Sequence, residues 1–461
     1  MKKFLTLMIL LLLTMAKLAF AESKASPAFI EAHYISVAAA SCLGIYLPDQ
    51  SAEFNYLRST GWHIRPQKSQ AGKVEAHFSI AHTYYEDLGK HIYLVTFRGS
   101  ASSKDWKINL KTGRVPYGGH TLAEMEAMAN SLRPKNKDLE RQQPAVHEGF
   151  NTYTNLVLKD SVLDPQGQLT GVFKKVQQEP NSYLCLTGHS LGGAVATLLG
   201  TRLLDLGMDP QRLKVITFGA PAVGNQAFVN AYADKLQLVR ITNTADPVPG
   251  SLQTFFGGYK QFGHHYSYGL SPKVSSFQHD MAMYFDYSVG ESFAAFDKEV
   301  LAGRLQDMPT HRQGKAPLVA LWFMESPKLS KMTHVPDLKR FLSYEYRRML
   351  PSYVLMDTKM SGEIYAQADI MAASREFGAE YVVIVGVDME QPQREQYCYL
   401  RLDQAVFNKD GSLLRISSRA RKVLPAIGNV QAAGEAFMAN RKELKELLPF
   451  VVTERRTRLG L

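Results

Sequence analysis

The sequence predicts an α/β protein: a mostly parallel central sheet covered by helices on both faces, followed by a smaller α/β unit. Two observations carry this. Continuous apolar runs with β-branched residues alternate with helical stretches over the first 300 residues, the pattern of strands buried on both faces. A polar stretch with Gly303, Pro309 and Gly314 then breaks the text, and a second alternation follows. The chain has 461 residues, 45% hydrophobic and 21% charged, enough for two or three domains. That composition fits neither disorder nor a collagen-like repeat.

The first residues are expected to lie outside the fold. Lys2 and Lys3 form a positive start, residues 4–15 a short apolar core, and Ala19-Phe20-Ala21 a small-x-small cleavage signal before Glu22. The apolar run is short for a membrane span. Residues 1–21 therefore read as a signal peptide, and the mature chain as exported, periplasmic or secreted; an uncleaved anchor is the alternative. Removing Lys2, Lys3 and Lys17, with no acid among residues 1–21, takes the net charge from +10 to +7. A mild positive excess is compatible with contact at anionic membrane surfaces or envelope polymers. No basic run interleaved with aromatics argues for nucleic acid.

Residues 32–45, rich in Ala, Ser and Val, read as a buried first helix. Strands are expected at 92–97, 183–187, 213–218 and 238–242, with helices at 192–206 and 225–236 between them. Residues 301–316 form a linker candidate between a first domain, 22–300, and a second, 317–461, each with enough apolar strands for a core of its own. In the second, strands fall at 318–324, 353–357 and 381–387 and helices at 337–349 and 366–377. A hairpin of 396–407 and 412–417 turns through Asp410-Gly411, and a helix over 429–448 follows. The three cysteines, Cys42, Cys185 and Cys398, make no disulfide framework, and no Cys/His spacing fits a zinc site. No cofactor is implied.

The strongest chemical signal is Gly188-His189-Ser190-Leu191-Gly192, a G-x-S-x-G between a buried strand and a small-residue helix. A serine hydroxyl is a weak nucleophile unless a base can reach it, so it is mounted on a tight strand-to-helix turn. Gly188 and Gly192 flank Ser190 because strand and helix pass too close there for side chains. The Leu191 amide, at the helix N-terminus, is placed to donate to an oxyanion. This is the arrangement of an α/β-hydrolase.

Five motifs occur in order: Val95-Thr96-Phe97-Arg98-Gly99-Ser100, His147-Glu148-Gly149-Phe150, the Ser190 turn, Thr217-Phe218-Gly219-Ala220-Pro221, and Asn243-Thr244-Ala245-Asp246-Pro247-Val248-Pro249. Over about residues 30–290 the chain resembles the class 3 lipases, the family of filamentous-fungal triacylglycerol lipases and plant acyl-lipid hydrolases. The resemblance implies Asp246 as the acid that orients the base. It implies His279 as the base, because His279-Asp280-Met281-Ala282-Met283-Tyr284-Phe285 matches the family's His before an aromatic helix. The interval from Asp246 to His279 is shorter than in the fungal members, and His264, in Phe262-Gly263-His264-His265, stays open as the alternative. Ser100 is carried over as the second oxyanion donor. Ser102-Ser103-Lys104-Asp105 reads as a capping box opening a short helix with Trp106 and Leu110 on one face, which the resemblance makes a lid and the residues alone would make a surface helix with an anchoring Trp. His147 reads as structural.

The function these readings imply is hydrolysis of lipid acyl esters, as a triacylglycerol lipase or through A1-type phospholipid cleavage, or hydrolysis of small esters. The second domain carries no catalytic constellation and reads as a binding or assembly module for an envelope partner. The competing function class is a non-catalytic hydrolase-fold envelope-binding or effector protein.

Overall fold

The apolar runs of the first half become the centre of a seven-stranded sheet. The computed structural model describes residues 25–47, 57–58, 60–71, 74–100, 113–131, 141–269, 278–326, 328–329, 338–356, 366–393, 397–423 and 429–452. A first helix, α1 (Pro27–Gly44), is capped by the Ser26 hydroxyl, which accepts from the Phe29 amide, with Pro27 at its first turn. Strands β1 (His63–Ala71), β2 (Val74–Tyr85) and β3 (Lys90–Phe97) follow as an antiparallel meander. A small ribbon of β4 (Arg114–Pro116) and β5 (Ala145–His147) comes next, with helix α2 (Leu122–Ala129) between them.

Helices α3 (Glu148–Val157) and α4 (Gly171–Gln178) lead into β6 (Ser182–His189) and α5 (Leu191–Asp205). The rest of the unit is β7 (Leu213–Phe218), α6 (Gln226–Tyr232), β8 (Gln237–Asn243), α7 (Val248–Phe256) and β9 (His264–Tyr268). The sheet order is β1-β2-β3-β6-β7-β8-β9, parallel from β3 to β9. The expected mostly parallel sheet is present, and each expected strand lies within two residues of its position. This is the α/β-hydrolase architecture. Strands β1, β2 and β9 were not expected. β1 and β9 are edge strands, carrying Arg65, Lys68, His264 and Ser267, and β1 holds Pro66, while β2 is paired on both sides and carries Glu75, His77 and His82. Polar residues and a proline are tolerated where one side of the ladder is open, so the two edge strands lack the apolar signature of a central strand, and the charged and polar residues of β2 hide it there.

Helix α8 (Met281–Leu301) closes the first unit against α1. A second sheet contains β10 (Thr310–His311), β11 (Val319–Glu325), β12 (Tyr353–Met356), β13 (Tyr381–Glu390), β14 (Cys398–Asn408) and β15 (Leu413–Val423). Its order is β10-β12-β11-β13-β14-β15, parallel only at the β12-β11-β13 centre. Helices α9 (Leu338–Met349), α10 (Gln367–Glu376) and α11 (Asn429–Leu447) cover it.

Two expectations about the boundary change. Residues 301–316 are not only a connector, because Thr310 and His311 pair with β12 as an edge strand. Nor are the two cores separate: one hydrophobic cluster runs from Ala38 and Ile216 through Tyr284, Phe285 and Phe296 to Phe341, Tyr346 and Phe437. The Phe29 and Phe296 rings pack tilted with centroids 5.9 Å apart, and Arg340 of α9 pairs with Asp297 of α8. The buried Asp286 carboxylate on α8 accepts the Asn429 amide at 2.9 Å and the Val430 amide at 3.1 Å, so it caps α11. An anion at a helix N-terminus satisfies amides that have no partner inside the helix. Apolar periodicity locates a buried face, but it does not say which face will cover it.

Candidate active site

The site forms at the carboxyl ends of the parallel strands, where chain reversals leave backbone amides and side chains unpaired by the sheet. At the end of β6 the chain turns into α5 within one residue. Ser190 has φ 58° and ψ −126°, and it is the one non-glycine residue with positive φ among the described residues. Such a backbone costs on the order of 1–3 kcal/mol and must be held by its surroundings. The Ser190 amide donates to the Phe218 carbonyl at 2.9 Å, and its own carbonyl accepts from the Gly193 and Ala194 amides at 3.0 and 3.2 Å.

The flanking glycines are needed for the reason the sequence suggested. A Cβ on Gly188 would run into the Gly192 backbone, and one on Gly192 would run into the Phe97 carbonyl. The Leu191 and Gly192 amides head α5, where the first turn has no carbonyl partners within the helix.

Asp246 lies on the loop after β8 with its side chain fully buried. Its Oδ1 accepts from the Val248 amide at 2.8 Å, and its Oδ2 accepts from His279 Nδ1 at 2.7 Å and from the Tyr284 hydroxyl at 2.6 Å. The Tyr284 oxygen in turn accepts from the Asn243 amide at 3.1 Å. Burial, and then the neighbouring carboxylate, push the Tyr284 phenol upward, so it stays a donor. Gly219, with φ 56°, lets the pair close: a Cβ there would lie 2.7 Å from Asp246 Oδ2 and 3.0 Å from the His279 ring.

His279 itself stands just before α8, whose first turn is capped by Asp280. Its ring centroid is 4.4 Å from that of His189, the residue before Ser190. The structure therefore brings Ser190, Asp246 and His279 together at the carboxyl end of the sheet. It leaves His264 exposed on β9, edge-on to Tyr266, and bonds His265 to Thr242 at 2.7 Å. Neither of those residues meets Asp246.

The end of β3 completes the site. A Cβ on Gly99 would sit 3.3 Å from Ser190 Cβ, so the Gly99-Ser100 backbone passes directly beside the serine. The Ser100 hydroxyl is buried with no hydrogen-bond partner among the described residues. Gly99 N–H donates to the Tyr46 hydroxyl at 3.1 Å, and that hydroxyl shares a hydrogen bond with His189 Nδ1 at 3.0 Å. Burial holds His189 well below the usual histidine range, as a neutral ring.

Tyr46, His189 and Tyr284 are participants that sequence reasoning missed. Tyr284 lies inside the string that marked His279, but Tyr46, after α1, carries no local signal. His147 is buried, accepts from the Phe150 amide as the cap of α3 and stacks on Phe150 at 4.0 Å, in keeping with a structural role. Trp106 and Leu110 lie outside the described residues. Among the described residues no group of three or more His, Cys, Asp or Glu side chains could hold a metal.

A strained serine turn, an oxyanion-side strand end and a buried acid–histidine pair on a mostly parallel sheet define the serine-hydrolase type of α/β-hydrolase. Within that class, residues 94–255 match the sequence model of the class 3 lipases, inside the span over which the resemblance was expected. Among relatives, a rice phospholipase A1-II is 28% identical over 173 residues, 36% of this chain and 40% of that protein. The Rhizomucor miehei lipase is 30% identical over 175 residues, 37% of this chain and 40% of its own length. A putative lipase of Saccharomyces cerevisiae is 28% identical over 51% of this chain and 67% of that protein. The chain thus spans less than half the length of most of the curated relatives it matches. A solved triacylglyceride lipase of Rhizomucor miehei aligns with a TM-score of 0.39 at 22% identity, over 51% of this chain and 80% of that one.

Proposed function

We propose that this chain is an exported serine hydrolase of lipid acyl esters. The observation that carries the reading is the buried Asp246–His279 bond at 2.7 Å beside a serine held at positive φ. In this mechanism His279 Nε2 takes the Ser190 proton as the hydroxyl oxygen attacks the ester carbonyl. Asp246, bonded to Nδ1, fixes the ring tautomer and stabilises the imidazolium. The Leu191 amide and the Ser100 amide and hydroxyl receive the charge that develops on the carbonyl oxygen. The imidazolium then protonates the departing alcohol, and water, deprotonated by His279, releases the acid and restores Ser190.

Lipid esters are favoured over other acyl donors by the relatives, which include phospholipases A1, a galactolipase and lipases. Export rests on the first 21 residues, transient contact with a membrane surface on the mild positive charge, and binding of an envelope partner on the second unit.

A fluorophosphonate probe tests the core of the reading. One label per folded chain, lost in Ser190→Ala, is expected; a folded chain that takes no label would leave a non-catalytic binding or effector protein. A p-nitrophenyl ester series, then phospholipid and triglyceride vesicles, assigns the substrate. Turnover that rises when substrate passes its solubility limit and drops in Trp106→Ala is the expected sign of a lid over 102–110.

A further inference from the structure

A cavity far from Ser190 lies under α1 at the opposite end of the same strands. Helix α1 sits tightly on the sheet through Ala38, Ala39, Ala40 and Cys42, all buried. One to three turns earlier, Ile30, Tyr34 and Val37 are only half-buried, and they wall a cavity of about 330 Å³. Ile92, Leu94 and Cys185 form its floor, and the buried Trp62 lines it as well. That volume is at the lower end of ligand pockets, and a mostly apolar lining with a few polar groups is their usual character. Tyr183 and Ser190 are seven residues apart on one strand and turn, so the cavity mouth is about 20 Å from the serine, at roughly 3.3 Å per residue. It is not part of the candidate active site.

Charged groups line the cavity as well. Lys90, Arg212 and Lys214 all line the cavity, and Glu31 is the one acidic residue among its lining. Lys90 opens β3 just before the level of Ser182, and Lys214, second in β7, pairs with Cys185, so the two stand on the strands either side of β6 at different levels. Lys214 pairs with Glu31, and Arg212 pairs with Asp209 and holds the Val176 carbonyl. The Lys90 ammonium lies 4.3 Å from the centre of the Tyr183 ring, a contact that leaves its charge available to an anion.

We propose that this cavity binds the free carboxylate of a medium- or long-chain fatty acid. The carboxylate sits at Lys90, and the chain lies between α1 and the sheet toward Trp62. An apolar slot with a cation at its rim selects an anionic single-chain amphiphile over a neutral or cationic one.

Calorimetric titration of the full chain with decanoate, dodecanoate and tetradecanoate, below their aggregation limits, tests this. One site per chain is expected, tightening up to about tenfold for each two added methylenes until the slot is full. Dodecyltrimethylammonium should bind at least about tenfold more weakly than dodecanoate. Ile30→Trp fills the slot from the helix side and should abolish binding. Lys90→Glu, a rim change that leaves the core untouched, should weaken it by about tenfold or more. Binding indifferent to both variants, or equal for the cationic amphiphile, would overturn the proposal. So would binding only to phosphatidylglycerol vesicles with the same sensitivity to both variants, which would make a bilayer lipid the occupant. Serine labelling by the fluorophosphonate is read in parallel, so failure of the ester-hydrolase reading and failure of this one remain distinct.

Discussion

Both halves of the molecule bury a polar cluster between a sheet and a helix, and the two clusters are built to different ends. In the second unit the Tyr346 hydroxyl donates to Gln404 Oε1 at 2.8 Å, Gln404 Nε2 donates to the Asn440 carbonyl at 3.3 Å, and Ser417 donates to Asn440 Oδ1 at 3.2 Å. These groups are neutral, and they tie α9, β14, β15 and α11 to one another. In the first unit a carboxylate, an imidazole and a phenol converge at the carboxyl end of the sheet, beside a serine in a backbone conformation that no other non-glycine residue adopts among the described residues. A neutral network of this kind fixes register. A charged one that ends at a strained turn holds that strain where the chemistry takes place.

The largest effect that would break this contrast is on the first cluster. Ser190→Ala and His279→Ala are each expected to lower ester turnover by at least about a thousandfold, with His264→Ala costing less than about threefold. Near-full turnover in a folded His279→Ala chain would move the base to another histidine.

The junction between the units should respond next. Asp286→Ala uncovers two buried amides at the start of α11, and a loss of about 2–4 kcal/mol in denaturant unfolding is expected. Expression of residues 22–305 sharpens the same point. That piece exposes the face of α8 carrying Phe285 and Phe296, so it should be insoluble without the second unit. A soluble fragment with full serine labelling would show the shared core to be dispensable.

A smaller effect belongs to the second cluster. Tyr346→Phe should cost about 1–2 kcal/mol of stability and leave turnover unchanged, because a buried Gln404 oxygen loses its donor far from Ser190. A drop in turnover larger than the drop in folded fraction would couple the two clusters.

The last effect is a pH slope. Burial, with the Arg348 guanidinium nearby, pulls His33 down to about 4, and His33 bonds Tyr85 at 2.9 Å where α1 meets the second unit. Between pH 6.5 and 4 the unfolded chain takes up a proton that the folded chain refuses. Stability from this group is therefore complete above 6.5 and falls as the pH drops toward 4. A melting temperature that declines over that window, with a shallower decline in His33→Gln, is the expected record.

Sequence alone determined the central strands β3, β6, β7 and β8, because a strand buried on both faces must be apolar throughout. It also determined the serine turn, because Gly188 and Gly192 admit no side chain where strand crosses helix. The second unit's hairpin was legible through its Asp-Gly turn. The acid and the base were legible only by resemblance, since Asp246 and His279 are 33 residues apart and nothing local joins them.

Tertiary structure alone decided the rest. It chose His279 over His264 as the partner of Asp246, recruited Tyr46 through the Gly99 amide, and set Tyr284 on the acid. It also set a two-residue edge strand within the expected linker, and joined the two units through one shared hydrophobic cluster by packing α8 between them. Periodicity records that a face is buried, while the partner that buries it is fixed only when distant segments pack.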